Sequence, residues 1–276
     1  NHFGTATLDQ IDQLAVDKAR KVLLRANAGP ATVLRALITP LRAVMVHAHK
    51  RGLGPRPAFD VPKQPAGRVA WLTPVQARAL VTAAADHLKP LLVFLLGTGA
   101  RLGEAMDLDW QHVDLPHARV EFALTKSGRP RRYTMPPAAV AALANLPHRD
   151  GKVFLRPVTE RRAPKAVTPA APKMIAYRDR QRLEGGQIRA AWRGACKRAK
   201  LVGFTPHDLR HTWATWHHVL HRDLLRLRDD GGWASIAQVE TYAHLAPAGL
   251  AGEIEAFWGI SRAVPVQVDQ QGALRA

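Results

Sequence analysis

The sequence predicts a mainly helical protein that contains a small antiparallel hairpin and divides into two domains. Apolar residues recur at three- and four-residue steps along most of the chain, as they do in amphipathic helices. One segment, residues 119–135, instead alternates apolar and polar residues on both sides of a turn, which is typical of two paired strands. A stretch rich in proline and glycine, residues 53–68, separates the helical segments before it from those after it.

The chain is strongly basic. Its 276 residues include 40 lysines and arginines against 22 aspartates and glutamates, which gives a formal net charge of +18. A surplus of this size favours a polyanionic partner, either nucleic acid or an anionic membrane surface. The apolar runs are too short to cross a bilayer, so we predict no membrane span.

The single cysteine and the first residue bear on the cellular compartment. Cys196 stands alone, which excludes an internal disulfide and a metal site built from cysteines only. A lone thiol in a helical pattern suits a packing role in a reducing cytoplasm. The chain begins at Asn1 without methionine, so an earlier start and a removed targeting segment both stay open.

Residues 1–52 are predicted to form a small helical bundle. Helical periodicity covers residues 8–15, 31–38 and 41–48, and Pro40 is predicted to separate the last two. Basic residues punctuate these segments and give the bundle a basic face. That face either contacts a polyanion or is simply solvated.

The boundary between the domains is an extended linker at residues 53–68. The second domain is predicted to cover residues 69–262, and a tail without periodicity covers residues 263–276. Thr73 and Pro74 start its first helix, because threonine is a good N-cap and proline suits the first helical position.

A second helix of this domain, residues 90–97, is apolar and ends at a glycine-containing turn. Arg101 follows the turn, where a new helix can begin, and Glu104 lies one helical turn further on. A buried arginine there needs an anionic partner. The two side chains either form an intrahelical ion pair, or Glu104 aims the Arg101 guanidinium at a phosphate.

The predicted hairpin at residues 119–135 is basic at its tip and on its returning strand. Arg129, Arg131 and Arg132 are expected to lie along a DNA backbone. Lys126 lies in the turn, where an ammonium group is solvated by default but is also able to enter a groove of DNA.

Beyond the hairpin we predict a short helix at residues 136–146 and a proline-rich loop at residues 156–172. Residues 188–200 have the pattern of a basic amphipathic helix. Its Arg193 and Lys197 are expected to contact DNA, although such side chains also cover a core with their aliphatic stems.

His207 and Arg210 lie one helical turn apart and so share a face of a helix that begins near Pro206. An imidazole and a guanidinium side by side can hold a phosphate oxygen through charge-assisted hydrogen bonds. His207 and His211 also have the spacing of zinc ligands on a helix. The zinc protease pattern, however, requires a glutamate directly after the first histidine, and this chain has Asp208, so we predict no metal site.

Tyr242 is predicted to lie on a helix that Ser235 caps. The chain has only three tyrosines, and this one alone follows the histidine–arginine pair along the chain. Trp233 lies between them along the chain. Its indole N–H can donate to a phosphate oxygen, or the side chain simply fills the core.

Taken together, these motifs resemble those of the tyrosine recombinases, also called the phage integrase family. The matching segments, in chain order, are Thr98-Gly-Ala-Arg101-Leu-Gly-Glu104, Thr125-Lys126-Ser-Gly-Arg129-Pro, His207-Asp-Leu-Arg210-His-Thr and Tyr242-Ala-His. The chain departs from the family pattern twice: Gly231 stands where leucine is usual, and Trp233 stands where histidine is more frequent.

The resemblance implies an N-terminal helical core-binding domain and an α+β catalytic domain. It also implies roles for six residues. Arg101 and Arg210 would clamp the phosphate, and Trp233 would donate to it. His207 would bind the phosphate or accept the phenol proton of Tyr242, the nucleophile. Lys126 would protonate the leaving 5′ oxygen. This chemistry needs no metal and no cofactor.

The implied function is site-specific recombination through a 3′-phosphotyrosyl intermediate. Its partner would be double-stranded DNA, held by a homo-tetramer on two synapsed sites, with no small-molecule substrate. The expected location is the cytoplasm, in association with the nucleoid. Two alternatives stay open: a relaxase that resembles type IB topoisomerases, and a DNA-binding protein without catalytic activity on a recombinase scaffold.

Overall fold

We describe the fold from a computed structural model. The described residues are 2–63, 69–122, 130–157, 174–177, 186–245, 247 and 249–260. The chain divides into two compact units, Asn1–Arg68 and Val69–Ala276. The structure is mainly helical with small antiparallel sheets, which confirms the predicted fold class.

The first unit is helical. Its helices are α1 (Gln13–Leu23), α2 (Pro30–Val33) and α3 (Thr39–His49). Asp12 caps α1 by accepting a hydrogen bond from the backbone N–H of Ala15 at 2.8 Å. The predicted break at Pro40 is wrong, because a π-helical turn, Leu34–Ile38, joins α2 to α3. A wider turn of this kind absorbs the hydrogen bond that a proline cannot donate.

The stretch from Pro30 to His49 is long and apolar enough, by length and composition alone, to cross a membrane. The sequence analysis expected no such segment. Val33, Leu37 and Met45 of this stretch lie in the apolar core of the first unit. A core helix of a small bundle satisfies the same criterion, but only 28% of this stretch is buried, and Val44 is 62% exposed.

The second unit combines helices with two small sheets. Its helices are α4 (Pro74–Ala83), α5 (Lys89–Thr98), α6 (Leu102–Met106), α7 (Pro137–Ala144), α8 (Gly186–Arg198), α9 (Asp208–His221), α10 (Leu224–Gly231) and α11 (Ala251–Trp258). Its strands are β1 (Val113–Asp114), β2 (Arg119–Phe122), β3 (Arg131–Thr134), β4 (Leu155–Pro157) and β5 (Met174–Ala176). The predicted start of α4 is confirmed, since the Thr73 hydroxyl accepts a hydrogen bond from the backbone N–H of Gln76 at 3.3 Å.

Helices α5 and α9 form the centre of the second unit. Both are buried on nearly every side, so neither is amphipathic in the manner of a surface helix. Helix α5 ends at Gly99, which has a left-handed backbone (φ +60°). A Cβ atom at Gly99 would lie 2.2 Å from the indole of Trp213 on α9. This close approach places the turn before Arg101 directly against α9.

The antiparallel sheet β1–β2–β3 contains the predicted hairpin. Val120 pairs with Tyr133 and Phe122 with Arg131, so the two strands of the hairpin are confirmed. Its tip, residues 123–129, lies outside the described residues, as do most residues of the predicted loop at 156–172. Strands β4 and β5 pair antiparallel in a second small sheet that the sequence analysis did not predict.

The segment that carries Tyr242 is not one helix. It consists of two 3₁₀ turns, Ile236–Gln238 and Glu240–Tyr242, and the side chain of Ser235 makes no capping hydrogen bond. The prediction of a helix capped by Ser235 was therefore wrong. Helix α11 packs on its own unit, where Trp258 meets Trp216 of α9 edge to face.

Candidate active site

Arg101 and Glu104 lie at the start of α6 and form an ion pair. The Arg101 backbone N–H donates to one carboxylate oxygen of Glu104 at 2.9 Å, and its guanidinium donates to the other at 2.6 Å. The Glu104 side chain is only 7% exposed, whereas that of Arg101 is 30% exposed. These two bonds therefore hold the backbone N–H and one side of the guanidinium of Arg101, and leave part of the side chain accessible to an anion.

Arg131 lies inside the unit, and this corrects the prediction that it runs along a DNA backbone. Its side chain is 7% exposed and donates to Glu104 at 3.2 Å and to the backbone carbonyl of Asp230 at 2.5 Å. The guanidinium also covers the ring of Phe122 at 4.3 Å. Arg131 thus links the hairpin, α6 and the end of α10.

Glu104 is the shared anion of these two arginines. Burial alone would raise the pKa of its carboxyl group. The backbone N–H of Arg101 and the guanidinium groups of Arg131 and Arg101 outweigh burial, and the pKa lies below its ordinary value. Glu104 is therefore ionised at neutral pH and keeps both guanidinium groups in place.

Arg210 on α9 is held by backbone carbonyl groups rather than by a carboxylate. Its two terminal nitrogens donate to Gly99 at 2.6 Å and to Gly231 at 2.7 Å. Burial and the charges of Arg101 and Arg131 lower the pKa of Arg210. Because carbonyl groups are dipoles and carry no net charge, the positive charge of Arg210 is not neutralised by these partners.

Trp233 closes one side of this arrangement. The Arg210 guanidinium lies over its ring at 4.1 Å, and the ring stacks on Trp213 with 6.0 Å between centroids. A Cβ atom at Gly231 would lie 1.8 Å from the Trp233 ring. The two departures from the family pattern are thus coupled: the tryptophan ring occupies the space that a side chain at position 231 would need.

Tyr242 is 3% exposed and packs with Trp213, Trp233 and Val239. Its hydroxyl lies 2.6 Å from Nδ1 of His211. Burial raises the pKa of Tyr242 to about 12, although the charge of Arg210 opposes this effect. The phenol is therefore protonated at neutral pH.

His211 is the residue of this site that the sequence analysis missed. It appeared there only as a zinc ligand that was rejected. The only available signal was that His211 directly follows Arg210. On a helix this position turns the His211 side chain about 100° away from that of Arg210. Nothing in the sequence placed Tyr242 on that side.

His207 is exposed at the start of α9. Its ring meets that of His211 edge to face, with 4.9 Å between centroids. Partial burial and the nearby charge of Arg210 lower the pKa of His207, so the imidazole is mainly neutral at neutral pH. In this state it can either donate or accept a hydrogen bond, depending on the tautomer.

The remaining predicted residues lie apart from this cluster or outside the described chain. Arg132 is exposed on β3 and pairs with Glu121 at 3.0 Å. Arg193 and Lys197 are exposed on α8. Lys126 and Arg129 belong to the hairpin tip outside the described residues. Within the described part of the chain, the histidines, cysteine and acidic residues form no group of three or more that could hold a metal ion.

The chain is similar to known proteins over most of its length. The model of the phage integrase family matches residues 70–248. The integrase of Salmonella phage P22 is 32% identical over 211 residues, which are 74% of this chain and 52% of the relative. A tyrosine recombinase XerC from Brucella melitensis is 29% identical over 267 residues, which are 87% of this chain and 77% of the relative.

The integrase of Escherichia phage P2 is 26% identical over 189 residues, which are 67% of this chain and 46% of the relative. The chain thus spans about half the length of the phage integrases that it matches. Among solved structures, the Tn1549 transposon integrase in complex with circular intermediate DNA has a TM-score of 0.62 at 15% identity, covering 93% of this chain and 88% of its own. XerA recombinase has a TM-score of 0.50 at 22% identity, covering 90% of this chain and 83% of its own. These likenesses show the fold.

Proposed function

Because the chain belongs to the phage integrase family, we propose that it is a site-specific DNA recombinase that cleaves and rejoins strands through a phosphotyrosine. One observation carries the proposal. Folding places Arg210, Trp233 and Tyr242 in one cluster, in which Trp233 contacts both of the others, although they are spread over α9 and the turns after α10. Arg101 lies next to them, since the carbonyl of Gly99 binds Arg210.

The chemistry follows from these side chains. Tyr242 attacks phosphorus, the bond to the 5′ oxygen breaks, and a 3′-phosphotyrosyl bond forms. Arg101 and Arg210 neutralise the charge that develops on the non-bridging oxygens, with an N–H donor from Trp233. Lys126 protonates the leaving oxygen. The phosphodiester energy is kept in the covalent bond, so that rejoining needs no ATP.

The partners follow from charge and from the relatives. We propose double-stranded DNA as the substrate, bound by the basic surface that a net charge of +18 requires. Residues 1–52 would serve as a core-binding domain, and the exposed Arg132, Arg193 and Lys197 would contact phosphates. Four copies would assemble on two synapsed sites, in the cytoplasm and in association with the nucleoid. The Tn1549 integrase, a structural neighbour, was solved in complex with DNA.

A covalent-trapping experiment tests the proposal. Duplexes that bind the chain are selected from a random pool, nicked to trap the intermediate, and incubated with wild type, Tyr242→Phe and Tyr177→Phe. We expect an SDS-resistant protein–DNA adduct with wild type and with Tyr177→Phe, which serves as a matched control because Tyr177 lies in the core beside His87. Tyr242→Phe should form none.

The other outcomes separate the alternatives. An adduct combined with relaxation of supercoiled plasmid, but without exchange between two selected sites, would support a relaxase that resembles type IB topoisomerases. Selection of duplexes without an adduct from any variant would contradict the recombinase assignment and support a DNA-binding protein.

A further inference from the structure

The hydroxyl of Tyr242 has a specific partner that the family motifs do not assign. Nδ1 of His211 lies 2.6 Å from that oxygen, a short hydrogen bond between a phenol and an imidazole. We propose that His211 is the proton acceptor for Tyr242 during strand cleavage and returns the proton during rejoining. This inference rests on the proposed function and deepens it.

The geometry keeps the two groups together. His211 lies on the rigid central helix α9, and the two rings have centroids 5.9 Å apart. The Tyr242 side chain is enclosed by Trp213, Trp233 and Val239. A general base must lie within hydrogen-bond reach of the proton that it removes, and His211 meets this condition before any DNA is bound.

The charge state of His211 suits the role. The groups that face it are His207, Asp208 and Arg210 on its own helix and Tyr242 from the 3₁₀ turn. Burial, then the charges of His207 and Arg210, lower the pKa of His211, and Asp208 opposes them only in part. A neutral imidazole has one nitrogen with a free lone pair. With the proton on Nε2, Nδ1 can accept from the phenol.

The step balances without any added reagent. As the bond between the Tyr242 oxygen and phosphorus forms, the phenolic proton passes to Nδ1 and produces an imidazolium. The bond between phosphorus and the 5′ oxygen breaks, and the leaving oxygen takes a proton from the acid on the other side of the phosphate. In rejoining, the 5′ hydroxyl gives its proton back to that acid's conjugate base and attacks phosphorus. The bond between phosphorus and the tyrosine oxygen breaks, and the imidazolium returns its proton to that oxygen.

This assignment divides the work between two histidines. His207 is exposed at the start of α9, in a position to contact a phosphate, whereas His211 is half-buried one turn later. Among the described residues, the Tyr242 hydroxyl has its hydrogen-bond partner in His211. The sequence analysis left two roles open for His207, phosphate binding and acceptance of the phenol proton. We assign phosphate binding to His207 and proton acceptance to His211.

The first experiment measures the rate of adduct formation on nicked, selected duplexes as a function of pH, for the 276-residue chain and for His211→Gln. Glutamine keeps a hydrogen bond to Tyr242 but cannot take up a proton at these pH values. We expect the rate at neutral pH to fall about 100-fold. We also expect the profile to change: wild type should level off above the pKa of His211, whereas the variant should rise about tenfold per pH unit as phenolate accumulates.

A control on the same helix is His221→Gln. His221 lies at the exposed end of α9, where its ring meets Arg226 and His217, and this variant should keep the wild-type rate and profile. A slow His211→Gln variant with the wild-type profile would overturn the proposal, because it would indicate a structural role. The same holds for an unchanged rate. Absence of an adduct from wild type would instead defeat the proposed function.

A second measurement needs no DNA and no substitution at His211. In ¹⁵N-labelled wild-type chain, NMR of the imidazole nitrogens reports which nitrogen carries the proton. We expect Nε2 to be protonated and Nδ1 to be an acceptor at neutral pH, with the Nδ1 signal shifted in Tyr242→Phe. A proton on Nδ1 at neutral pH would overturn the proposal, even if His211→Gln failed to fold.

Discussion

At the scale of single residues, the site distinguishes three arginines by their partners. Arg131 is buried against Glu104, and Arg101 shares that carboxylate but is partly exposed. Arg210 donates its hydrogen bonds to backbone carbonyl groups and lies over the ring of Trp233. The two explanations of Arg101 that the sequence left open are therefore not exclusive. The ion pair with Glu104 is what would aim its guanidinium at a phosphate.

Arg131 shows what sequence reasoning could have found. Tyr133 and Met135 form one alternating face of the returning strand, and Arg131 belongs to that face by the same two-residue period. An arginine in line with core residues indicates a buried ion pair rather than a DNA contact. The partner, Glu104, is 27 residues earlier in the chain, and no local pattern could identify it.

Replacing Glu104 tests the shared carboxylate. At neutral pH we expect Glu104→Gln to lower the free energy of unfolding by about 3 kcal/mol, because the buried guanidinium of Arg131 and the partly exposed one of Arg101 lose their counter-charge. The folded pKa of Glu104 is depressed, so its contribution is complete above about pH 4.3, the ordinary value for glutamate, and is lost as pH falls through the folded value.

Urea titrations of wild type and Glu104→Gln at several pH values measure this difference. The difference in unfolding free energy between the two proteins should narrow as the pH falls below the ordinary pKa of a glutamate. Glu121→Gln is a matched control, since Glu121 pairs with the exposed Arg132 and should change stability little. A gap that widens in acid would contradict the assignment.

At the scale of elements, the sequence placed the long helices well and the short segments poorly. Helices α4, α5, α8 and α9 have either a clear cap or a long periodic pattern. The turns around Tyr242 have neither: Ser235 makes no capping hydrogen bond, and the Gln238 side chain instead accepts from the backbone N–H of Ala234 at 3.0 Å. Local propensity cannot choose between such caps, because tertiary packing decides.

The turn after α10 depends on a fit between Gly231 and Trp233. We expect Gly231→Ala to cost about 1–3 kcal/mol of stability, because its Cβ collides with the indole ring. In a Trp233→His background the same change should cost less, since the smaller ring leaves room. Thermal melts of the four variants give the coupling energy.

Gly252→Ala is the control for this cycle. Gly252 lies in α11, nothing lies within 4 Å of a Cβ placed there, and alanine in a helix should be neutral or slightly stabilising. If the double variant loses as much stability as the two single variants together, the two departures from the family pattern are independent.

At the scale of the whole molecule, the contacts among Arg210, Trp233 and Tyr242 lie within one chain. We therefore expect cleavage in cis. Arg210→Ala and Tyr242→Phe should each form no adduct while still binding selected duplexes. A mixture of the two variants, distinguished by size, should also form none.

Attack in trans would have the opposite result. The tyrosine of an Arg210→Ala chain would then reach a phosphate held by an intact Arg210 in the Tyr242→Phe chain, and an adduct of the size of the Arg210→Ala chain would appear. Arg198→Ala is the control, because Arg198 also donates to a backbone carbonyl, that of Ala83 on α4. It lies away from Arg210 and Tyr242, so this variant should still form the adduct.

The indole rings around Tyr242 bear on how safely a broken strand is kept. Water is a competing nucleophile, and if it reached the bond between tyrosine and phosphorus, the enzyme would be released and the strand would stay open. Trp213 and Trp233 surround a phenol that is only 3% exposed. Exclusion of water from a reactive intermediate suppresses hydrolysis. The same packing that buries the nucleophile would thus protect a genome against permanent breaks.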